Sequence, residues 1–513
     1  MYPRNLPELL QKSSQRYSRR TAIIFGQKVI DYKTLDETTS AIAAGLRKQG
    51  IKKGDRIALY LDNCPEFIIS YYAILKAQAT LVPINFMYKI EEAKYIIEDS
   101  KSVCIITSRL NLDAAQEISV RSDCLKQIIT VTKVADDIPD LGRLAKTEAH
   151  PCDYRAIDSH DPAVIMYTSG TTGHPKGAIL THHNLVANAI DSKNAVKITS
   201  TDTFICVLPL FHAFAATVCM NLPLAIGAKI VVMKTLKPFK RVIRAIRKNN
   251  VSIFVGIPSI FSILKNMKFP TIMHTPLIFL FNPVRICISG AASLPKETFS
   301  EFEKKFRIPL IEGYGLTEAS PVVTFNPLHG IRKPGSIGLP LAKHIRLKVV
   351  DDSGKILPPE QIGELLIQGP SVMSGYLNQP EATKETLKNG WLYTGDMAKI
   401  DADGYVYIVG RKKEMINVRG LNVYPREIEE TLYRNPKIKE CAIIGIEDPH
   451  RGEVPKGFIV LKEGEHATEQ EILHYLHQRI ATYKIPKRIE FRPFLPKNAT
   501  GKILKRALED EKN

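Results

Sequence analysis

Tyr167-Thr168-Ser169-Gly170-Thr171-Thr172-Gly173-His174-Pro175-Lys176-Gly177 follows directly on the apolar run Ala163–Met166. A strand feeding a loop of this composition is an anion cradle. Its glycines free the backbone to turn N–H groups inward, and the hydroxyls of Thr168, Ser169, Thr171 and Thr172 add donors. Lys176 supplies a positive charge. The loop lacks the Gly-Lys-Ser/Thr ending of a P-loop, which argues against kinase-like chemistry.

Outward from this loop, helix and strand patterns alternate. Thr34 is placed to cap a helix that stops at Gly50, with apolar strands at Arg56–Leu61 and Ala79–Pro83. A second series starts near Thr203, with strands at Phe204–Leu208, Lys229–Met233, Ser252–Gly256 and Arg285–Ser289. Helical patterns lie between them, at Pro238–Asn249 and Leu294–Phe306. Such alternation predicts an α/β fold with mostly parallel sheets covered on both faces. After Gly330, short segments rich in Gly and Pro predict a β-rich region. A last unit mixes the strands Cys441–Ile446 and Gly457–Leu461 with a helix at Glu469–Ile480, an α+β pattern. The expected division is a large N-terminal domain, residues 1–410, and a small mobile C-terminal domain, residues 411–513.

With 513 residues, 44% hydrophobic and 24% charged, the chain has the balance of a globular protein of more than one domain. The eight cysteines are scattered and form no metal-ligand spacing, and no secretory leader or membrane-spanning run is visible, so the expected setting is the reduced cytoplasm. The net charge of +18 attracts polyanions. No zinc-finger spacing or RNA-recognition aromatic motif accompanies it, so nucleic acid is not an expected partner.

The loop resembles the phosphate-binding signature of adenylate-forming enzymes, the superfamily of acyl-CoA synthetases, luciferase and peptide-synthetase adenylation domains. The resemblance continues in order. Leu208-Pro209-Leu210-Phe211-His212 resembles the histidine motif, and Ser289-Gly290-Ala291-Ala292 the adenine-pocket turn. Glu312-Gly313-Tyr314-Gly315-Leu316-Thr317-Glu318 resembles the acidic motif, and Trp391-Leu392-Tyr393-Thr394-Gly395-Asp396 the ribose motif. Gly410-Arg411-Lys412-Lys413-Glu414 is similar to the hinge, Gly420–Pro425 to the thiol-tunnel segment, and Pro496-Lys497-Asn498-Ala499-Thr500-Gly501-Lys502 to the terminal lysine motif.

The resemblance implies ATP and coenzyme A as co-substrates and Mg²⁺ as cofactor. A carboxylate attacks the α-phosphorus of ATP, and the charge that builds there must be offset by metal and cationic groups. Glu318, helped by Thr168, then holds Mg²⁺. ATP is bound by the loop from Thr168 through Gly173 with Lys176, by Gly290, Ala291 and Ala292, and by Glu312–Thr317 with Tyr314 stacked on adenine. Asp396 accepts both ribose hydroxyls, and Arg411 reaches the ribose. Lys502 is the adenylation cation, while His212 orients the carboxylate or adjusts with the thiol step. Lys413 is the hinge, and Arg419 and Gly420 lie on the coenzyme A path, where a side chain at Gly420 would obstruct a narrow tunnel.

The pattern most resembles bacterial long-chain fatty-acid–CoA ligases. The expected acyl wall, Phe211, Phe214, Val255, Gly256 and Ile257, is apolar and offers no carboxylate to an amino acid's ammonium. An aryl- or medium-chain acid ligase, an acyl-AMP ligase loading a carrier protein, and a non-catalytic acyl or nucleotide sensor are the alternatives. The stretch Lys229–Lys248 carries basic residues and no acidic one, with Phe239, Val242, Ile243 and Ile246 at helical spacing. It implies a peripheral contact with an anionic membrane. Oligomeric state is not legible in the sequence.

Overall fold

Buried apolar strands alternating with helices build two large sheets in this computed structural model, which describes residues 3–148, 156–168, 175–267, 283–448, 452–498 and 501–510. The seven-stranded sheet has the order Gly375–Tyr376, Lys176–Thr181, Pro162–Thr168, Thr80–Pro83, Arg56–Tyr60, Cys104–Thr107, Gln127–Thr130. Its strands from Pro162–Thr168 to Gln127–Thr130 are parallel, and the remaining two close that edge antiparallel. The nine-stranded sheet is parallel from Leu310–Gly315 through Ile286–Ser289, Ile253–Gly256, Thr203–Cys206 and Lys229–Val232 to Thr21–Phe25. The N-terminal strand Thr21–Phe25 therefore completes the sheet of the second series, a pairing invisible to local pattern.

One continuous apolar core joins these sheets and their helices, from Leu6 through Phe67 and Phe204 to Leu392. Two tyrosine hydroxyls inside it are satisfied: that of Tyr72 donates to Asn221 Oδ1 at 3.0 Å and that of Tyr32 to the Ala228 carbonyl at 2.7 Å. The β-rich region is an antiparallel sheet, Arg346–Val350, Gly363–Gln368, Trp391–Ile400 and Leu387–Lys388, with Val406–Arg411 paired to Trp391–Ile400. A fourth sheet, Leu421–Val423, Ile416–Val418, Gly452–Leu461, Ile438–Asp448 and Arg488–Phe491, has its own cores around Ile428, Ile443 and Leu476 and around Phe458, Leu495 and Leu508. The chain passes from the third sheet to the fourth through the 3-10 turn Lys412–Glu414.

Thr34 does not cap its helix. The helix is Tyr32–Lys48 and its cap is Asp31, whose carboxylate accepts the Thr34 amide; an ionised side chain just before the first turn also suits the helix dipole. Elsewhere element ends shift by one or a few residues, as for Lys296–Phe306, which begins after Pro295. Among the described residues no helix is long and apolar enough to cross a membrane.

Candidate active site

In open α/β sheets ligands sit beyond the carboxyl ends of the parallel strands. Here those ends carry Leu208–His212 after Thr203–Cys206, Ile257 after Ile253–Gly256, the Gly290–Ala292 turn after Ile286–Ser289, and Tyr314 in Leu310–Gly315.

The tightest cluster surrounds Asp396, buried in Trp391–Ile400 directly opposite Arg411. Arg411 Nε lies 2.7 Å from Asp396 Oδ1, and the Tyr314 hydroxyl donates to Asp396 Oδ2 at 2.5 Å. Burial pushes the Asp396 carboxyl up, against the Arg411 charge and the Tyr314 bond. The sequence reading gives Asp396 the two ribose hydroxyls; in this structure each of its oxygens already has one partner, and Arg411 and Tyr314 belong to one unit with it.

A second cluster joins the hairpin to the acidic motif. Thr168 pairs with Lys176 across the two strands and its hydroxyl donates to the Lys176 carbonyl at 3.4 Å. Lys176 Nζ stands 5.4 Å from the centre of the Tyr376 ring, a cation–π contact. The Tyr376 hydroxyl donates to Glu318 Oε1 at 2.8 Å. Tyr376, not singled out in the sequence, is the piece that links Lys176 to Glu318. It reaches that place because Gly375–Tyr376 adds an edge strand to Lys176–Thr181. Ser169, Gly170, Thr171, Thr172 and Gly173 lie outside the described residues.

Glu312 is fully enclosed. Its Oε1 accepts the Leu294 amide at 3.1 Å while Oε2 has no partner among the described residues. Burial raises its pKa to about 7, with Arg426 and the Leu294 amide pulling the other way. Gly313, Gly315 and Leu316 shape the strand end beside it, and Thr317 opens the short 3-10 turn Thr317–Ala319 that presents Glu318.

His212 caps the next short helix: its Nδ1 accepts the Phe214 amide at 3.3 Å. Burial, and then the Lys502 charge, lower its pKa to about 4. With Nδ1 an acceptor, the neutral ring carries its proton on Nε2, a donor for an anionic substrate. Asn63, unnoticed in sequence, fixes this segment by donating to the Leu208 carbonyl at 2.8 Å and accepting the Leu210 amide at 2.9 Å.

The acyl-wall residues are brought together only in part. An added Cβ on Gly290 would lie 2.7 Å from Phe214 Cζ, so the nucleotide-side turn and the Phe214 ring touch. Phe211 packs edge-on against Phe86, ring centres 6.1 Å apart. Val255 is fully buried and, by strand alternation, faces away from Gly256, so the two do not line one surface. Ile257 instead meets the C-terminal unit: a Cβ on Gly501 would fall 2.6 Å from Ile257 Cδ1.

That contact places Lys502. Its amide is held by Asn498 Oδ1 at 2.9 Å and its carbonyl by the Asn498 amide at 2.9 Å, while its side chain makes no ion pair with another described residue. Although the residue is exposed, desolvation, followed by the Arg411 charge, lowers its pKa, and Glu414 and Asp396 oppose this. His212, Asp396, Arg411 and Lys502 thus lie within electrostatic reach of one another. Lys413 is exposed in the turn between the third and fourth sheets.

Gly420 is where the structure departs from the expected tunnel. Arg419 and Gly420, at φ 52° and 82°, form the two-residue turn of the hairpin Ile416–Val418/Leu421–Val423, and both are exposed. A Cβ on Gly420 would meet nothing within 4 Å. In this arrangement the glycine serves a turn, and among the described residues none closes over it.

No group of three or more His, Cys, Asp or Glu side chains suited to a metal occurs among the described residues. Magnesium is commonly held by one or two carboxylates together with substrate phosphates and water. A lone Glu318 beside the Lys176 hairpin fits that donor set, and a dedicated protein cage does not.

This is the equipment of an enzyme that handles a nucleotide and a second, anionic substrate. The model of the AMP-binding enzyme matches residues 10–377, and that of the AMP-binding enzyme C-terminal domain residues 427–502. Long-chain-fatty-acid–CoA ligase of Bacillus subtilis (strain 168) is 36% identical over 99% of this chain and 94% of its own. Feruloyl-CoA synthase of an Amycolatopsis species is 32% identical over 94% of each. MatB from Rhodopseudomonas palustris, 30% identical, superposes with a TM-score of 0.89 in its ATP-bound crystal structure, covering 99% of this chain and 98% of that one, and 0.78 in its apo form. The chain belongs to the AMP-binding enzyme family, the adenylate-forming acyl-CoA ligases.

Proposed function

We propose that this chain is an AMP-forming ligase that activates a long-chain fatty acid with ATP and passes it to coenzyme A. The observation that carries the reading is the approach of Gly501 in the C-terminal unit to Ile257 at the strand ends, which brings the neighbouring Lys502 within electrostatic reach of His212, Asp396 and Arg411. In the first step a carboxylate oxygen attacks the α-phosphorus, the bond to pyrophosphate breaks, and acyl-AMP forms. His212 Nε2–H orients the attacking carboxylate, and Lys502 offsets the charge that grows between carboxylate and phosphate. Asp396, Arg411 and Tyr314 form the nucleoside floor, with Gly290, Ala291, Ala292 and Glu312 around the base. The loop from Thr168 to Lys176 receives the phosphates. Glu318, with Thr168, would hold Mg²⁺, which supplies charge neutralisation to the polyphosphate when bound.

In the second step the coenzyme A sulfur attacks the acyl carbonyl and AMP leaves. The two steps need different partners in one cleft. We assign residues 1–410 and 411–513 to bodies that turn about Lys413, and the path of the thiol to the Arg419–Gly420 turn after that rotation. The better superposition on the ATP-bound than on the apo relative supports reading the present arrangement as the adenylating one.

Long-chain preference is supported by the Bacillus relative and by the apolar Phe211, Phe214 and Ile257; the feruloyl-CoA synthase likeness keeps an aryl acid as the second reading. ATP–pyrophosphate exchange with fatty acids of graded length beside ferulate separates them. Exchange that rises with chain length is expected, and exchange confined to the aryl acid overturns the assignment.

The setting we propose is the cytoplasm, at an anionic membrane surface. The helix Phe239–Asn249 buries Val242 and packs Phe239, Ala245 and Ile246 on the core, leaving Lys240, Arg241, Arg244, Arg247 and Lys248 exposed. No Asp or Glu lies between Asp202 and Glu297. Basic residues near such a surface contribute about 1 kcal/mol each, screened by salt. Co-sedimentation with phosphatidylserine vesicles at low salt, lost when Lys240, Arg244 and Arg247 are changed to Glu, is the expected result; absence of binding by the unaltered protein rejects the proposal.

A further inference from the structure

Three residues beyond Lys502, a half-buried ion triad ties the terminal segment to the hinge turn. Lys505 Nζ lies 3.1 Å from Glu414 Oε2 and 2.9 Å from Glu429 Oε1. Glu429 Oε1 also accepts the Ile443 amide at 2.9 Å, which seats that carboxylate on the fourth sheet. Lys505 begins the closing helix, whose Leu508 is buried in the core with Leu495 and Phe458. Among the described residues Lys497 bridges Ile503, the Leu504 amide donates to the Pro496 carbonyl at 2.9 Å, and Asn498 grips Lys502 from both sides.

Glu414 has a second set of neighbours. It feels the charges of Lys502 and Arg411 as well as that of Lys505. A carboxylate within electrostatic reach of the Lys502 ammonium is a competitor for it. Paired with Lys502, Glu414 would neutralise the cation that adenylation needs.

We infer that Lys505 is a positioning residue, engaging Glu414 and anchoring the loop so that the Lys502 ammonium stays free for the substrates. This deepens the reading of Lys502 as the adenylation cation and rests on it. Lys505 touches no substrate. Its effect passes through the place of Lys502 and through the side on which Glu414 is held.

Lys505→Met keeps the length of the side chain and removes its charge. Its pyrophosphate exchange is expected to fall about 10- to 100-fold in kcat, the scale on which small misplacements of a reacting group act. KM for ATP and acid should change less than about twofold, and conversion of supplied acyl-AMP and coenzyme A to thioester should hold. Adding Glu414→Gln should restore most of the exchange. Glu414→Gln alone, which leaves Lys505 its Glu429 partner, should fold and exchange within about twofold of the unaltered protein. Equal loss of both half-reactions in a folded Lys505→Met, unaltered exchange, or no recovery in the double variant overturns the inference. If Lys505→Met does not fold, more than about tenfold loss in Glu414→Gln alone does so instead. Lys502→Ala, run alongside, separates the two levels: exchange retained there removes the reading of Lys502 itself, whereas exchange lost there and kept in Lys505→Met removes only the role of Lys505.

Discussion

The two halves of the proposed site are built on opposite terms. At the strand ends the charges are held by partners: Asp396 holds Arg411 and Tyr314, and Glu318 holds Tyr376, itself under Lys176. Across the cleft Lys502 has a pinned backbone and an unpaired side chain among the described residues. The first half suits binding, because fixed dipoles and charges need no reorganisation when the nucleotide arrives. The second suits a step that must be reversible in space. A cation that bound its surroundings tightly would not leave when the second half-reaction begins.

The sharpest way to break this contrast is Lys502→Ala. Acyl-AMP formation should drop by about 10²- to 10³-fold, the scale of removing one donor to developing charge, while thioester formation from supplied acyl-AMP continues. Equal loss in both would place Lys502 in the fixed half. A smaller effect is expected on the fixed side. Glu318→Gln should lower exchange about 10- to 100-fold with a raised Mg²⁺ requirement, and Tyr376→Phe, which only frees a Glu318 oxygen, about 2- to 5-fold. An unchanged Mg²⁺ requirement in Glu318→Gln would remove it as the ligand.

Gly420→Leu sharpens the comparison from the other side. Open space surrounds Gly420 here, so exchange should stay within about threefold, while acyl-CoA production should fall about tenfold or more if the thiol passes that turn. Undiminished thioester formation refutes the path. The least drastic test concerns Glu312, whose folded pKa of about 7 exceeds the ordinary carboxyl value of 4.5. Between those values the folded protein holds a proton that the unfolded chain has released, so stability falls as pH rises from 4.5 to 7 and then levels. Glu312→Gln should flatten that slope, so that between pH 4.5 and pH 8 the variant loses about 3 kcal/mol less stability than the unaltered protein. Parallel unfolding curves against pH would show that burial does not hold a proton on Glu312.

Much of this was legible before any coordinate. Apolar strands bounded by glycine and proline, at Arg56–Tyr60 or Ile253–Gly256, read plainly because burial on both faces leaves little choice of residue. The residues of the site were legible as motifs, since close-range chemistry fixes both residue type and spacing. The cap of the Tyr32–Lys48 helix was misplaced by three residues because Asp31 and Thr34 are both good caps and only the chain's path picks one.

Sequence alone therefore determined the α/β alternation, the order of the motifs and the chemical character of each candidate residue, properties that depend on neighbours a few residues away. Tertiary structure alone decided that Thr21–Phe25 joins a sheet begun almost two hundred residues later, that Asp396 is already paired, that Tyr376 bridges Lys176 and Glu318, and that Lys505 draws on Glu414. Each of these joins residues far apart in the chain, and such contacts are selected by the packing of whole elements and by the need to pair buried charge.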